Sequence, residues 1–112
     1  MTDLAEFLLA RIQEDEAAAK DAGANVWTEQ SSGVLDTGEW PDGVHALGDS
    51  RVTRFIAEHD PVRVLAECDT KRRIIKTLSW DDDPWRGARD YLLMLLALPY
   101  ADHDAYREEW KP

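Results

Sequence analysis

The pair Asp60-Pro61 constrains this chain more than any other two residues. Aspartate accepts hydrogen bonds from the first orphaned N–H groups of a helix, and proline at the first helical position gives up no donor that the helix would use. Proline also holds the residue before it in the extended conformation an N-cap needs. Downstream, Val64, Cys68, Ile75 and Leu78 recur at helical spacing, with Val62, Leu65 and Ile74 widening the stripe. Glu67 with Lys71 and Asp69 with Arg73 fall four residues apart in the favourable order. This pattern predicts a central helix over about 61–78, roughly 27 Å long, around which the remaining segments must be arranged.

The flanking segments supply two further kinds of element. Asp3 and Glu6 have capping-box spacing, Leu4, Leu8 and Ile12 share a helical face, and Gly23 is a stop signal, which predicts a helix over 3–22. Residues 24–48 change character. Val26–Thr28, Val34-Leu35 and Val44–Leu47 are short β-like runs divided by Ser31-Ser32-Gly33, Gly38, Pro41-Asp42-Gly43 and Gly48. They predict a two- or three-stranded antiparallel meander at about 25–47. Asp49 or Ser50 caps a short helix carrying Val52, Phe55 and Ile56 and ending near His59. Asp83-Pro84 repeats the entry signal ahead of YLLMLLAL, which is apolar on every side and predicts a buried helix over about 84–98. Pro99 ends it, and Asp102 opens a last short helix toward Trp110. The expected fold is α+β, mostly helical, with four to five helices and a small meander.

At 112 residues the chain has the length of one domain, expected over 1–112. One cysteine excludes an internal disulfide framework, and the N-terminus MTDLAEF lacks a basic leader, so a reducing cytoplasm is the expected setting. The longest apolar run, Leu92–Leu98, is far short of the ~20 residues that span a bilayer. The net charge of −10 is unevenly spread. Residues 1–50 carry 11 acids and 2 bases, residues 51–79 carry 4 acids and 7 bases, and residues 80–112 carry 8 acids and 4 bases. A duplex repels so acidic a chain unless a basic face is segregated, which disfavours nucleic-acid binding.

Few residues point to chemistry. His59, Cys68 and His103 are zinc-capable, but no pair has structural-zinc spacing, and Cys68 lies on the apolar stripe as a small hydrophobe would. His59 at a helix end suits the helix dipole. Asp81-Asp82-Asp83 offers hard oxygens, yet adjacent aspartates more often serve caps and turns. No metal or cofactor is expected, and no G-x-S-x-G, H-E-x-x-H or phosphate-cradling loop occurs. Lys71-Arg72-Arg73 with Lys76 beside Trp80 either grips an anion or forms a solvated face neutralised by neighbouring acids. Five tryptophans in a chain this short leave some for the surface, where tryptophan marks interface hot spots. Trp40, Trp80, Trp85, Arg72, Arg73 and Lys76 are therefore the candidate partner-binding residues.

Three segments carry a family resemblance. DLAEFLLARIQEDE, FIAEHDPVRVLAECDTKRRII and LALPYADHDAYREEWKP together resemble a family of small actinobacterial and actinophage proteins, a domain of unknown function with no assigned activity. The middle segment also resembles early-region proteins of temperate phages. Where that family has Gly-Pro-Trp after the first helix, this chain has Ala24-Asn25-Val26-Trp27, so the strand region departs most from the pattern. The resemblance implies a phage or prophage setting and no catalytic residues. The function expected is a non-enzymatic accessory protein that binds another protein. The alternatives are a small metal-dependent enzyme or ligand-binding module using His59, Asp60, His103 and nearby carboxylates, and a homo-oligomer whose interface uses the apolar surplus. The tail residues Tyr100, Tyr106 and Trp110 are expected to dock it onto the chain's own core, with Glu108 or Glu109 near Arg72 or Arg73.

Overall fold

Four α-helices and a three-stranded sheet are described by a computed structural model covering residues 2–30, 33–39, 42–78 and 86–112. The helices are α1 (Thr2–Asp21), α2 (Ser50–Glu58), α3 (Pro61–Leu78) and α4 (Arg86–Ala97). The strands β1 (Thr28–Gln30), β2 (Val34–Asp36) and β3 (Val44–Ala46) pair antiparallel in the order β1-β2-β3. The described residues group into two compact units, one of residues 1–14 with 69–112 and one of 15–68. The boundaries fall inside α1 and inside α3. The architecture is the mostly helical α+β fold the sequence predicts.

Helix α1 ends where glycine allows it. Gly23 takes φ +102°, its N–H reaches the Lys20 carbonyl at 3.0 Å, and the Ala24 N–H reaches back to Ala19 at 3.1 Å. This paired closure satisfies carbonyls that would otherwise be orphaned. Helix α3 begins where Asp60-Pro61 predicts. The Asp60 Oδ1 accepts from the Arg63 N–H at 2.9 Å, and Asp60 itself is buried. Along α3, Cys68 and Ile75 are buried, while Val62 and Ile74, at the edges of the predicted stripe, are exposed.

In the second unit, α2 packs on β1 and β2. Asp49 is its N-cap, accepting from the Arg51 and Val52 N–H groups. The side chain it buries is Thr53; of the three apolar residues it carries, Val52 and Phe55 are exposed and Ile56 is half-buried. Thr53 tolerates burial because its hydroxyl donates to the Asp49 carbonyl at 2.7 Å. The first strand starts two residues later than Val26, and the reason is visible in one bond. The Trp27 N–H donates to Asp60 Oδ2 at 3.0 Å instead of joining a strand ladder. The hairpin ends are fixed by Gly33, whose φ is +76° and whose carbonyl accepts from the Leu47 and Gly48 N–H groups.

In the first unit, Leu4, Phe7, Leu8 and Ile12 of α1 are buried, as are Ile75, Leu93, Ala97 and Trp110. The C-terminal segment contains no α-helix. It is a series of tight turns, with 3₁₀ helices at Leu98–Tyr100 and Glu108–Trp110. N–H groups of Ala101, His103, Tyr106, Trp110 and Lys111 each donate three residues back. Nucleating an α-helix costs several ordered residues per bond, so so short a segment takes the tighter form. Among the described residues no helix is long and apolar enough to cross a membrane.

Candidate functional site

The residues offered for metal or acid–base chemistry are occupied by structural contacts. The His59 Nδ1 lies 2.8 Å from the Phe55 carbonyl, and its ring stacks on the Phe55 ring at 4.3 Å. It thus serves as the C-cap of α2. Both carboxylate oxygens of Asp60 accept backbone N–H groups, one from Arg63 and one from Trp27. Cys68 is buried and in no disulfide. In the other unit, His103 Nδ1 takes hydrogen bonds from Arg11 Nη1 at 2.8 Å and from the Ala105 N–H at 3.0 Å. Two donors converging on Nδ1 require the tautomer with its proton on Nε2. Among the described residues no group of three or more His, Cys, Asp or Glu side chains could hold a metal ion. Asp81, Asp82 and Asp83 lie outside the described residues.

The proposed basic stripe is partly spent as well. Arg73 pairs with Asp69 at 3.0 Å, as the spacing predicts, but Glu67 pairs with Arg63 at 3.0 Å and not with Lys71. Lys71 instead donates to the Tyr100 hydroxyl at 3.2 Å and lies 5.3 Å from that ring's centre. The aromatic ring offers an ammonium both an acceptor and a negative face, which a carboxylate in water does not better. Arg72 is half-buried, and Arg73 and Lys76 are exposed. Trp40, Trp80 and Trp85, the aromatic half of the predicted surface, lie outside the described residues.

What the tail builds is an aromatic cluster centred on Phe7. Its ring meets those of Tyr100, His103, Tyr106 and Trp110 at centroid distances of 6.5, 5.7, 5.9 and 5.0 Å. Three of these contacts are edge-on, the arrangement that sets a ring's positive edge against a negative face. Arg11, nearly buried, lies 5.0 Å from the Phe7 centroid while it binds His103 and Glu14. The tail thus docks on the chain's own core through the three expected anchors. The Tyr106 hydroxyl is buried without a hydrogen-bond partner among the described residues. Glu108 and Glu109 meet Lys111 and Arg107, not Arg72 or Arg73, and Arg107 reaches Asp3 at 3.0 Å. The hydrogen bond that Lys111 donates to the Glu108 carboxylate holds its pKa above the ordinary lysine value.

Helix α4 presents an apolar surface that folding does not explain. Arg89, Leu93 and Ala97, four residues apart, form its buried face. On the opposite side Tyr91, Leu92, Leu95 and, just past the helix, Leu98 are 52, 45, 40 and 44 % exposed. Gly87 and Ala88 extend this exposed face one turn earlier. The helix expected to be buried all round is buried on one side only.

A family match spans residues 1–112. The chain belongs to the family of unknown function DUF6221. No curated protein and no solved structure matches it.

For this DUF6221 chain the sequence signal and the site diverge at two places. Phe7 carries no signal of its role in the sequence, because the four rings that surround it lie some ninety residues away. The outward side of α4 was invisible because leucine occupies both faces, leaving no polar stripe to mark the solvent side. The tail itself was legible, since three large aromatics in a segment too short to fold alone require a docking surface.

Proposed function

We propose that this chain is a non-enzymatic accessory protein that binds another protein through the outward face of α4. A single observation carries the reading: Tyr91, Leu92, Leu95 and Leu98 remain 40–52 % exposed on one side of a helix whose other side is in the core. Contiguous apolar side chains on one face keep water ordered against them, and association releases it. A net charge of −10 works against a second copy of the same chain and favours a partner whose apolar surface is rimmed by bases. The phage or actinobacterial setting is what the sequence resemblance implies.

The test is a double substitution, Leu92→Glu with Leu95→Glu, in the full chain. Substitutions at these exposed positions should change stability by no more than about 0.5 kcal/mol each. Affinity capture from the native host should recover a protein with the wild type and lose it with the variant. The purified pair should then re-form and weaken as salt is raised. Light scattering that shows a wild-type dimer, broken by the same substitutions, would replace this reading with self-association. A captured protein that survives the double substitution would refute it.

A further inference from the structure

The unit formed by residues 15–68 carries an open surface hollow of about 430 Å³. Small-molecule sites run from about 300 to 1,000 Å³. Its floor comes from the inner face of the sheet, where Leu35 is buried and pairs across the ladder with His45. Ile56 of α2, Leu47 and the Trp27 indole complete an apolar wall. At one end stand two carboxylates, Asp21 and Glu39.

The two charged side chains lining that end are both acidic, while Lys20, in the last turn of α1, is outside the lining. Asp21 is the last residue of α1, where the helix dipole places a partial negative charge of about half a unit. Glu39 comes close to the same terminus, since a Cβ at Gly23 would run into its carboxylate. No ion pair joins Asp21 or Glu39 to a base among the described residues. The Thr37 hydroxyl, also in the lining, is spent on the Gly43 carbonyl. Two carboxylates and a helix C-terminus at the end of an apolar hollow focus a negative potential into it.

We infer that this cavity receives an arginine side chain from a basic partner polypeptide. An anion is repelled, and a wholly apolar group would make no use of the two water-exposed carboxylates. A hard divalent cation needs about six oxygens, which a mainly aliphatic and aromatic wall does not offer. A guanidinium on an apolar stem matches every part: its fork suits carboxylates, its plane suits stacking on an indole, and its methylenes suit Leu35, Leu47 and Ile56. This inference rests on the protein-binding reading but not on α4, so the two fail separately.

The test titrates the ¹⁵N-labelled full chain with the capped peptide acetyl-Gly-Arg-Gly-amide, and with its citrulline counterpart, which has the same shape and no charge. The arginine peptide should give saturable shifts in the millimolar range, centred on the Trp27 indole N–H and the His45 and Leu35 amides. The citrulline peptide should give none. Glu39→Gln should weaken binding roughly tenfold, as expected for one lost charge-assisted hydrogen bond. Asp21→Asn should weaken it in the same direction, and it keeps the test open should the first variant not fold. Glu58→Gln, which changes net charge equally on an exposed residue outside the cavity, should leave binding unchanged. The inference is overturned by equal binding of the citrulline peptide, by equal weakening in Glu58→Gln, or by no saturation at all. Saturation by free agmatine without saturation by the peptide would overturn the polypeptide source.

Discussion

Replacing Asp60 separates a local contribution to folding from a long-range one in a single side chain. Its Oδ1 accepts from the Arg63 N–H at 2.9 Å, which caps α3. Its Oδ2 accepts from the Trp27 N–H at 3.0 Å, which ties the chain ahead of β1 to the start of α3 across 33 positions. Loss of an N-cap costs about 1 kcal/mol. A buried hydrogen bond to a charged group contributes about 1.5–3 kcal/mol, and removing its acceptor leaves the donor unpaired. Asp60 is 8 % exposed, so water does not readily replace it. Asp60→Ala should therefore destabilise by about 2.5–4 kcal/mol, several times a cap alone. Asp60→Ser separates the two effects, because a serine hydroxyl can cap α3 but is too short to hold both N–H groups. Serine should recover roughly 1 kcal/mol of the alanine loss. Urea melts followed by far-ultraviolet circular dichroism measure both, and in thermal melts each kcal/mol lowers Tm by about 3–5 °C in a chain of this size. Amide exchange gives the independent readout: in Asp60→Ser the Trp27 amide should lose protection while the first turn of α3 keeps it. If Asp60→Ala costs only about 1 kcal/mol and the Trp27 amide exchanges as in the wild type, the long-range bond contributes nothing and the reasoning is wrong.

The packing of the tail and the hairpin closure make further claims. Trp110, 4 % exposed against the Phe7 ring, should cost about 3–5 kcal/mol when changed to alanine. Arg107→Ala, which removes exposed pairs with Asp3 and Glu109, should cost less than about 1 kcal/mol; denaturant melts that rank the two variants the other way would show that the tail is held by charge and not by its rings. Gly33→Ala forces a Cβ to within 2.9 Å of the Gly48 carbonyl carbon at a φ of +76°, and should destabilise by about 1–3 kcal/mol in thermal melts. Wild-type stability in that variant would mean the hairpin ends adjust without strain.

What the sequence determined by itself is what short-range physics controls. Asp60-Pro61 places the start of α3, Asp49-Ser50 the start of α2, and Gly23 closes α1 with the backbone conformation that glycine reaches most cheaply. The glycines between short β-like runs mark off a meander, and three strands form. The Asp69–Arg73 pair follows from helical spacing alone. These signals act within a few residues, so no knowledge of the packing is needed to see them.

Tertiary structure decided the rest, because each remaining choice lay between partners of similar local merit. Lys71 could have met Glu67, but the tail brought Tyr100 within reach. The second oxygen of Asp60 took the Trp27 N–H and so delayed the first strand. Phe7 became the centre of a cluster only when residues 100–110 wound onto it in tight turns. Which half of α4 faces outward was decided by what packs on Leu93 and Ala97, since a helix apolar on all sides carries no preference of its own. The cavity lined by Asp21, Glu39 and Trp27 is likewise a product of packing, because it joins a helix end, a loop and a sheet face that no local pattern relates.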